Sequence, residues 1–115
     1  EVDMYANGKI KNHEGSWVSG VNGARFGLMM PALPLIGARY HEEVAPNVAM
    51  DRAEIVSLDA MVPTPAGRFA KALRVEETTP LEPGTKEYKL YAPGVGLIQD
   101  GALKLVRQGF EKATP

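Results

Sequence analysis

Apolar and polar residues alternate most clearly in the middle of the chain. RAEIVSLDAMV, from Arg52 to Val62, has Val56, Leu58, Ala60 and Val62 nearly continuous in apolar character. RFAKALRVEETT then alternates cleanly, with Phe69, Lys71, Leu73 and Val75 on one face and Ala70, Ala72, Arg74 and Glu76 on the other. A period of two is the signature of a strand. The proline- and glycine-bearing VPTPAG between these runs is a turn, and TPLEPGT at 79–85 is another, leading into the extended KEYKLYA. ARYHEEV, Ala38 to Val44, is a further extended run.

Towards the N-terminus, Asn7-Gly8 sits between two extended runs. Asn-Gly tolerates positive φ at both positions, which predicts a tight hairpin at 6–9. Asn22-Gly23 offers a second such turn, with Trp17, Val21, Phe26 and Leu28 expected in its flanking strands. PALPLIG cannot be a central strand, because its prolines lack a backbone donor; it reads as an irregular connection on the core edge. Helix has two openings. Asn47 to Ile55 admits a single turn, and DGALKLVRQGF fits a helix through Leu103, Val106 and Phe110 with Asp100 as cap. The second segment equally fits a strand with Leu103 and Leu105 on one face, which is the preferred register. These elements predict an all-β domain: an antiparallel curved sheet or partly open barrel, with little helix, spanning 1–115.

Two glycines and a proline interrupt the apolar run at Tyr91–Gly96, YAPGVG. A phosphate-cradling loop would need a third glycine or a following lysine-serine/threonine pair, and neither is present. Pro93 ending a strand, with Gly94 and Gly96 permitting a bend, accounts for the residues better.

Composition narrows the function classes. Thirteen basic and fourteen acidic residues give a net charge of −1, so nothing electrostatic favours nucleic acid or an anionic membrane. Cysteine is absent, which excludes disulfides, thiol catalysis and zinc ribbons. The longest uncharged apolar stretch, Phe26 to Gly37, is shorter than the ~20 residues of a membrane-spanning helix, so no transmembrane segment is expected. Glu1 opens an already strand-like stretch, and the natural start is expected to lie further upstream.

Candidate chemistry is sparse. His13 and His41 precede carboxylates, in HEG and HEE, but lack the one-turn spacing of a zincin; no metal site or cofactor is expected of them. A site shared by His13, His41 and Glu43 would rest on residue type alone. None of Ser16, Ser19 and Ser57 lies in a nucleophile elbow. Glu42-Glu43 and Glu76-Glu77 are adjacent pairs, and on a strand neighbours face opposite ways, so neither pair is expected to act together. Asp59 lies in an apolar run, where burial would raise its pKa; a solvent-facing position is the other reading. Met29, Met30, Leu33, Leu35 and Ile36 add an adaptable apolar surface.

TTPLEPGTKEYKLYAPGVGLIQDGALKLV resembles the C-terminal portion of a group of uncharacterised bacterial extracytoplasmic proteins, many of them secreted or lipoprotein-like. NGKI…GSWVSGVNGARFGLMMPALPLIGARYHEE is similar to their middle region. More loosely, the chain is similar to β-rich periplasmic proteins of the lipoprotein-localisation-factor kind. Ile98-Gln99-Asp100 departs from the group's ending, which has valine followed by charged residues. The resemblance implies a β fold and a periplasmic, secreted or lipid-anchored location, in a chain that is the C-terminal portion of a longer exported protein. It implies no catalytic residues.

The expected function is therefore a non-enzymatic module that binds an apolar or amphipathic ligand, a small molecule or lipid, at Trp17, Leu28, Met30, Leu35 and Tyr40 beneath a proline-bearing flap. A structural or protein-interaction domain, self-associating through open sheet edges, is the alternative.

Overall fold

The computed structural model describes residues 3–113. Ten strands follow in chain order: β1 (Met4–Ala6), β2 (Lys9–Asn12), β3 (Arg25–Phe26), β4 (Arg39–His41), β5 (Glu43–Val44), β6 (Arg52–Thr64), β7 (Gly67–Thr78), β8 (Glu87–Ala92), β9 (Gly96–Asp100) and β10 (Leu103–Lys104). All pairings are antiparallel, and no helix occurs among the described residues. The main sheet has the order β10-β9-β8-β7-β6-β4, beside two-stranded pieces β1-β2 and β3-β5. The chain is thus all-β, as its turn spacing predicts, and the sheet does not close into a barrel. The extended character expected at Glu1 and Val2 lies outside the described residues.

Asn7 and Gly8 both take positive φ, 53° and 72°, and join β1 to β2 as expected. Asn22 and Gly23 do the same, but only Arg25–Phe26 beside them is strand. Trp17 and Val21 lie in irregular chain, held by turns such as Val21 N–H to the Val18 carbonyl. Asn47 to Ile55 contains no helical turn: Asn47 is left-handed, φ 61°, inside a loop pinned by the Ala45–Ala49 bridge, and β6 begins at Arg52. Only Leu103–Lys104 of the C-terminal segment is strand. Pro93-Gly94 turns β8 into β9, and Gly94 and Gly96 both have positive φ, 73° and 105°.

The sheet buries apolar residues on both faces. Ala53, Ile55, Leu73 and Val75 form one cluster, with Met30, Ala38, Tyr40 and Tyr91 packed on it. Val62, Ala72, Ala92 and Ile98 form a second, joined by Phe69, Leu90, Val95 and Leu105. Tyr91 belongs to the first cluster while Leu90 and Ala92 belong to the second, so the two clusters lie on opposite faces. One chain can serve both because β7 slips. Lys71 adopts left-handed backbone, φ 54°, and the β6–β7 register shifts three times between Ile55 and Val62. Consequently Ala72 and Leu73 are both buried, and the unbroken alternation expected from Phe69 to Glu76 holds only beyond the bulge.

The first face is covered by the segment 27–45. Its 38–44 portion, expected to be one extended run, breaks at Glu42 into β4, which pairs with β6, and β5, which pairs with β3. Gly27 N–H donates to the Glu42 carbonyl and Leu28 N–H to the His41 carbonyl, each at 2.9 Å. The approach is so close that any Cβ at Gly27 would collide with the His41 carbonyl oxygen and stand 2.9 Å from that of Glu42. The second face is held by Leu105, whose carbonyl accepts from Ala66 N–H (3.1 Å) and whose N–H donates to the Ile98 carbonyl (2.9 Å). The radius of gyration, 16.4 Å, exceeds the about 13–14 Å of a compact chain of this length, consistent with thin layers on a long sheet.

Candidate functional site

Beyond the Lys71 bulge, β7 presents Leu73, Val75 and Glu77 to the covered face, and β8 presents Lys89 and Tyr91. Tyr40 on β4 stands opposite Ala53, which in turn stands opposite Glu77. The covered face therefore ends in a group of polar side chains, with Glu42 brought over it by the break between β4 and β5. Glu42 and Glu77 are buried, 8% and 5% exposed.

Lys89 Nζ donates to Glu77 Oε1 at 2.7 Å and to Oε2 at 2.8 Å. Burial alone would lower the lysine pKa, but its bond to Glu77 and the surrounding acidic charge outweigh this and raise it. Among the described residues, no cation forms an ion pair with Glu42, and the lowering effect of Lys89 on it is outweighed. Burial, followed by hydrogen bonding to Glu77 and the charge of that residue, pushes the Glu42 pKa up to about 8. Burial and then the Glu42 charge push the Tyr40 hydroxyl to about 12. Tyr91 is also raised, by burial first, and its hydroxyl donates to Met29 Sδ at 3.7 Å. Among the described residues, two sealed atoms, Tyr40 Oη and Glu42 Oε1, have no hydrogen-bond partner.

Next to this group, Glu42, Glu43 and Asp51 bring one carboxylate oxygen each to within 4.8 Å of one another. Glu43 is raised by burial and by the charge of Asp51. The expectation that Glu42 and Glu43 face apart is thus corrected: alternation lapses where the chain breaks between two sheets, and both carboxyls reach Asp51. Glu76 and Glu77 do face apart. Glu76 lies on the opposite face with Lys86 Nζ (3.0 Å) and the Tyr88 hydroxyl (2.9 Å), while Arg74 stacks over the Tyr88 ring at 4.1 Å.

The residues expected to bind a ligand are divided. Met30 and Tyr40 pack on the first cluster. Trp17 lines a separate depression of about 250 Å³ with Val18, Val21, Ala24, Pro46 and Val48. Leu28 and Leu35 are more than half exposed, 52% and 57%, as are Met29, Leu33 and Ile36. The proline-bearing segment therefore covers the sheet through Met30 and Ala38 and turns its other apolar side chains outward. His13 pairs with Asp3 at 2.8 Å beside the β1-β2 piece, whereas His41 is exposed on the main sheet. Asp59 is exposed in the β6 bulge and accepts from Ser57 Oγ at 2.9 Å, which settles its two readings in favour of solvent.

Asp51 and Lys89 have no place in the sequence reading, and Glu42 and Glu77 enter it only as members of adjacent pairs not expected to act together. Glu77 and Lys89 had a signal: each continues the phase of inward apolar neighbours, Leu73 and Val75 in one strand and Tyr91 in the other. Glu42 and Asp51 had none, because their burial depends on a long-range crossing.

The fold and its polar group define an antiparallel β domain with an open sheet, covered on one face by its own irregular crossover. Comparison of the chain with protein-family models, curated proteins and solved structures found no match to any of them.

Proposed function

We propose that this chain is a non-enzymatic, extracytoplasmic interaction domain that self-associates through the outward side of the 26–36 segment. The observation that carries this reading is the exposure of closely spaced large apolar residues: Phe26 79%, Leu33 72% and Ile36 67%, with Leu28, Met29 and Leu35 more than half exposed. Such a concentration in one segment marks a surface that a partner covers. A second copy is the chosen partner because the segment begins in β3, whose pairing is with β5 alone and which thus leaves an unpaired edge beside the exposed apolar residues. The location rests on the sequence resemblance alone. Light scattering across a concentration series tests the assembly: a dimer that Phe26→Ser with Leu33→Ser converts to monomer supports it, and a wild-type monomer at high concentration rejects it.

A second reading, binding of an apolar small molecule or lipid, is favoured by one feature, the apolar depression beside Trp17. Saturable change in Trp17 fluorescence on titration with fatty acid supports that reading, and a flat response removes it.

A further inference from the structure

The carboxylates of Glu42, Glu43 and Asp51 invite a different question from the apolar surface. Each offers an oxygen within 4.8 Å of the others. Among the described residues, no lysine, arginine or histidine forms an ion pair with any of the three, since Lys89 is engaged by Glu77, Lys86 by Glu76 and Arg39 by Glu54. Clustered carboxylates alone are common on protein surfaces, but this cluster has a buried member. Glu42 is 8% exposed, and its Oε1 is sealed from solvent without a hydrogen-bond partner. A buried acceptor left unmade is costly and calls for an explanation, such as an ion or a water.

There is also an approach. A depression of about 280 Å³ reaches Asp51 and Glu77 and is further lined by Glu82 and Glu87, with threonines and small apolar residues but no basic side chain. Its field attracts cations.

We propose that Glu42, Glu43 and Asp51 form a binding site for a divalent calcium ion, entered through this acidic depression. All-oxygen donors select hard cations over zinc or copper. An oxygen triad of this spread suits calcium, with bonds of about 2.3–2.6 Å, better than magnesium, which demands about 2.0–2.1 Å and near-ideal octahedral geometry. Waters complete the coordination. Lys89 stays paired with Glu77 beside the ion. The site owes nothing to the histidines or to the self-association surface.

Calorimetric titration of the whole chain with calcium chloride, after treatment with a chelator, tests the site. One saturable calcium per chain is expected, with a chelator-reversible rise in the melting temperature of the unaltered protein. Glu43→Gln and Asp51→Asn should each weaken binding by about tenfold or more, while Glu76→Gln, on the opposite face, should leave it unchanged. Circular dichroism establishes that the variants are folded, and the wild-type melting shift decides the question if they are not. Absence of saturable calcium binding and of any melting shift overturns the proposal. So does binding that survives in folded Asp51→Asn, and magnesium binding as tight as calcium overturns the choice of ion.

Discussion

Lys89 grips both oxygens of Glu77 across neighbouring strands, and the lysine and glutamate side chains are only 19% and 6% exposed. An ion pair at this depth loses much of its Coulombic gain to desolvation, so its presence says little about net stability. What it does establish is dependence: neither partner can be removed without stranding the other in a nearly dry layer above Val75.

Lys89→Met should therefore destabilise the fold by about 3–5 kcal/mol, read as a lower denaturation midpoint in urea. Adding Glu77→Leu to that variant should restore most of the loss. A double variant as unstable as the single one would show that packing, not the stranded charge, sets the cost.

Glu42 gives a dependence on pH in chelator-treated protein. Its folded pKa, about 8, lies above the unfolded value of 4.5, so its contribution is complete below about 4.5 and is lost as pH rises through about 8. The groups facing it are Tyr40, Glu43, Asp51, Glu77, Lys89 and Tyr91. Melting temperature should fall across this window, and Glu42→Gln, which cannot ionise, should flatten the fall. An equal slope in both proteins would assign the effect to another group.

Two glycine substitutions should differ in kind. Gly27→Ala places a Cβ against the His41 and Glu42 carbonyl oxygens and should cost about 2–3 kcal/mol by prising the crossover from β4. Gly96→Ala meets no atom within 4 Å, and its cost, about 1–2 kcal/mol, comes from the φ of 105° alone. Chemical denaturation of the two variants measures both, with the larger loss expected at Gly27.

Lys71 holds left-handed backbone in the middle of a strand. Lys71→Gly should be tolerated or slightly stabilising, whereas Lys71→Val should cost about 1–2 kcal/mol, because a β-branched side chain resists φ > 0. If valine is accepted without loss, β7 can run without its bulge.

Alternation located β6, β7 and β8 because each has a covered face along at least part of its length, and Asn7-Gly8 located the first hairpin because its two residues favour the required backbone. The slip at Lys71 was not legible: FAKAL reads as regular alternation, and only the demand for cover on both faces moves Ala72 inward. Nor was Glu42. HEEV has the look of an exposed strand, and its burial arises where the chain leaves one sheet for another, a choice made by residues 25–28 and 51–54 together. The flap residues show the opposite failure. Leu33, Leu35 and Ile36 are apolar enough for a core, yet the prolines around them keep the segment from a regular pairing that would turn them all one way.

The short turn at Pro65-Ala66 has a consequence for how the molecule comes together. It joins β6 and β7, whose contacts lie close in sequence, so closing that hairpin loses little chain entropy, and β8 follows by a modest loop. β4 joins β6 by a loop as modest, but the contacts of the crossover with β8 are distant in sequence, Met29 and Tyr91 being 62 residues apart. Lys89 and Glu77 are therefore expected to meet before Glu42 and Met30 cover them. On that expectation the charged layer loses its water late in assembly, and in pulse-labelled hydrogen exchange the hairpin amides should be protected before those of the crossover.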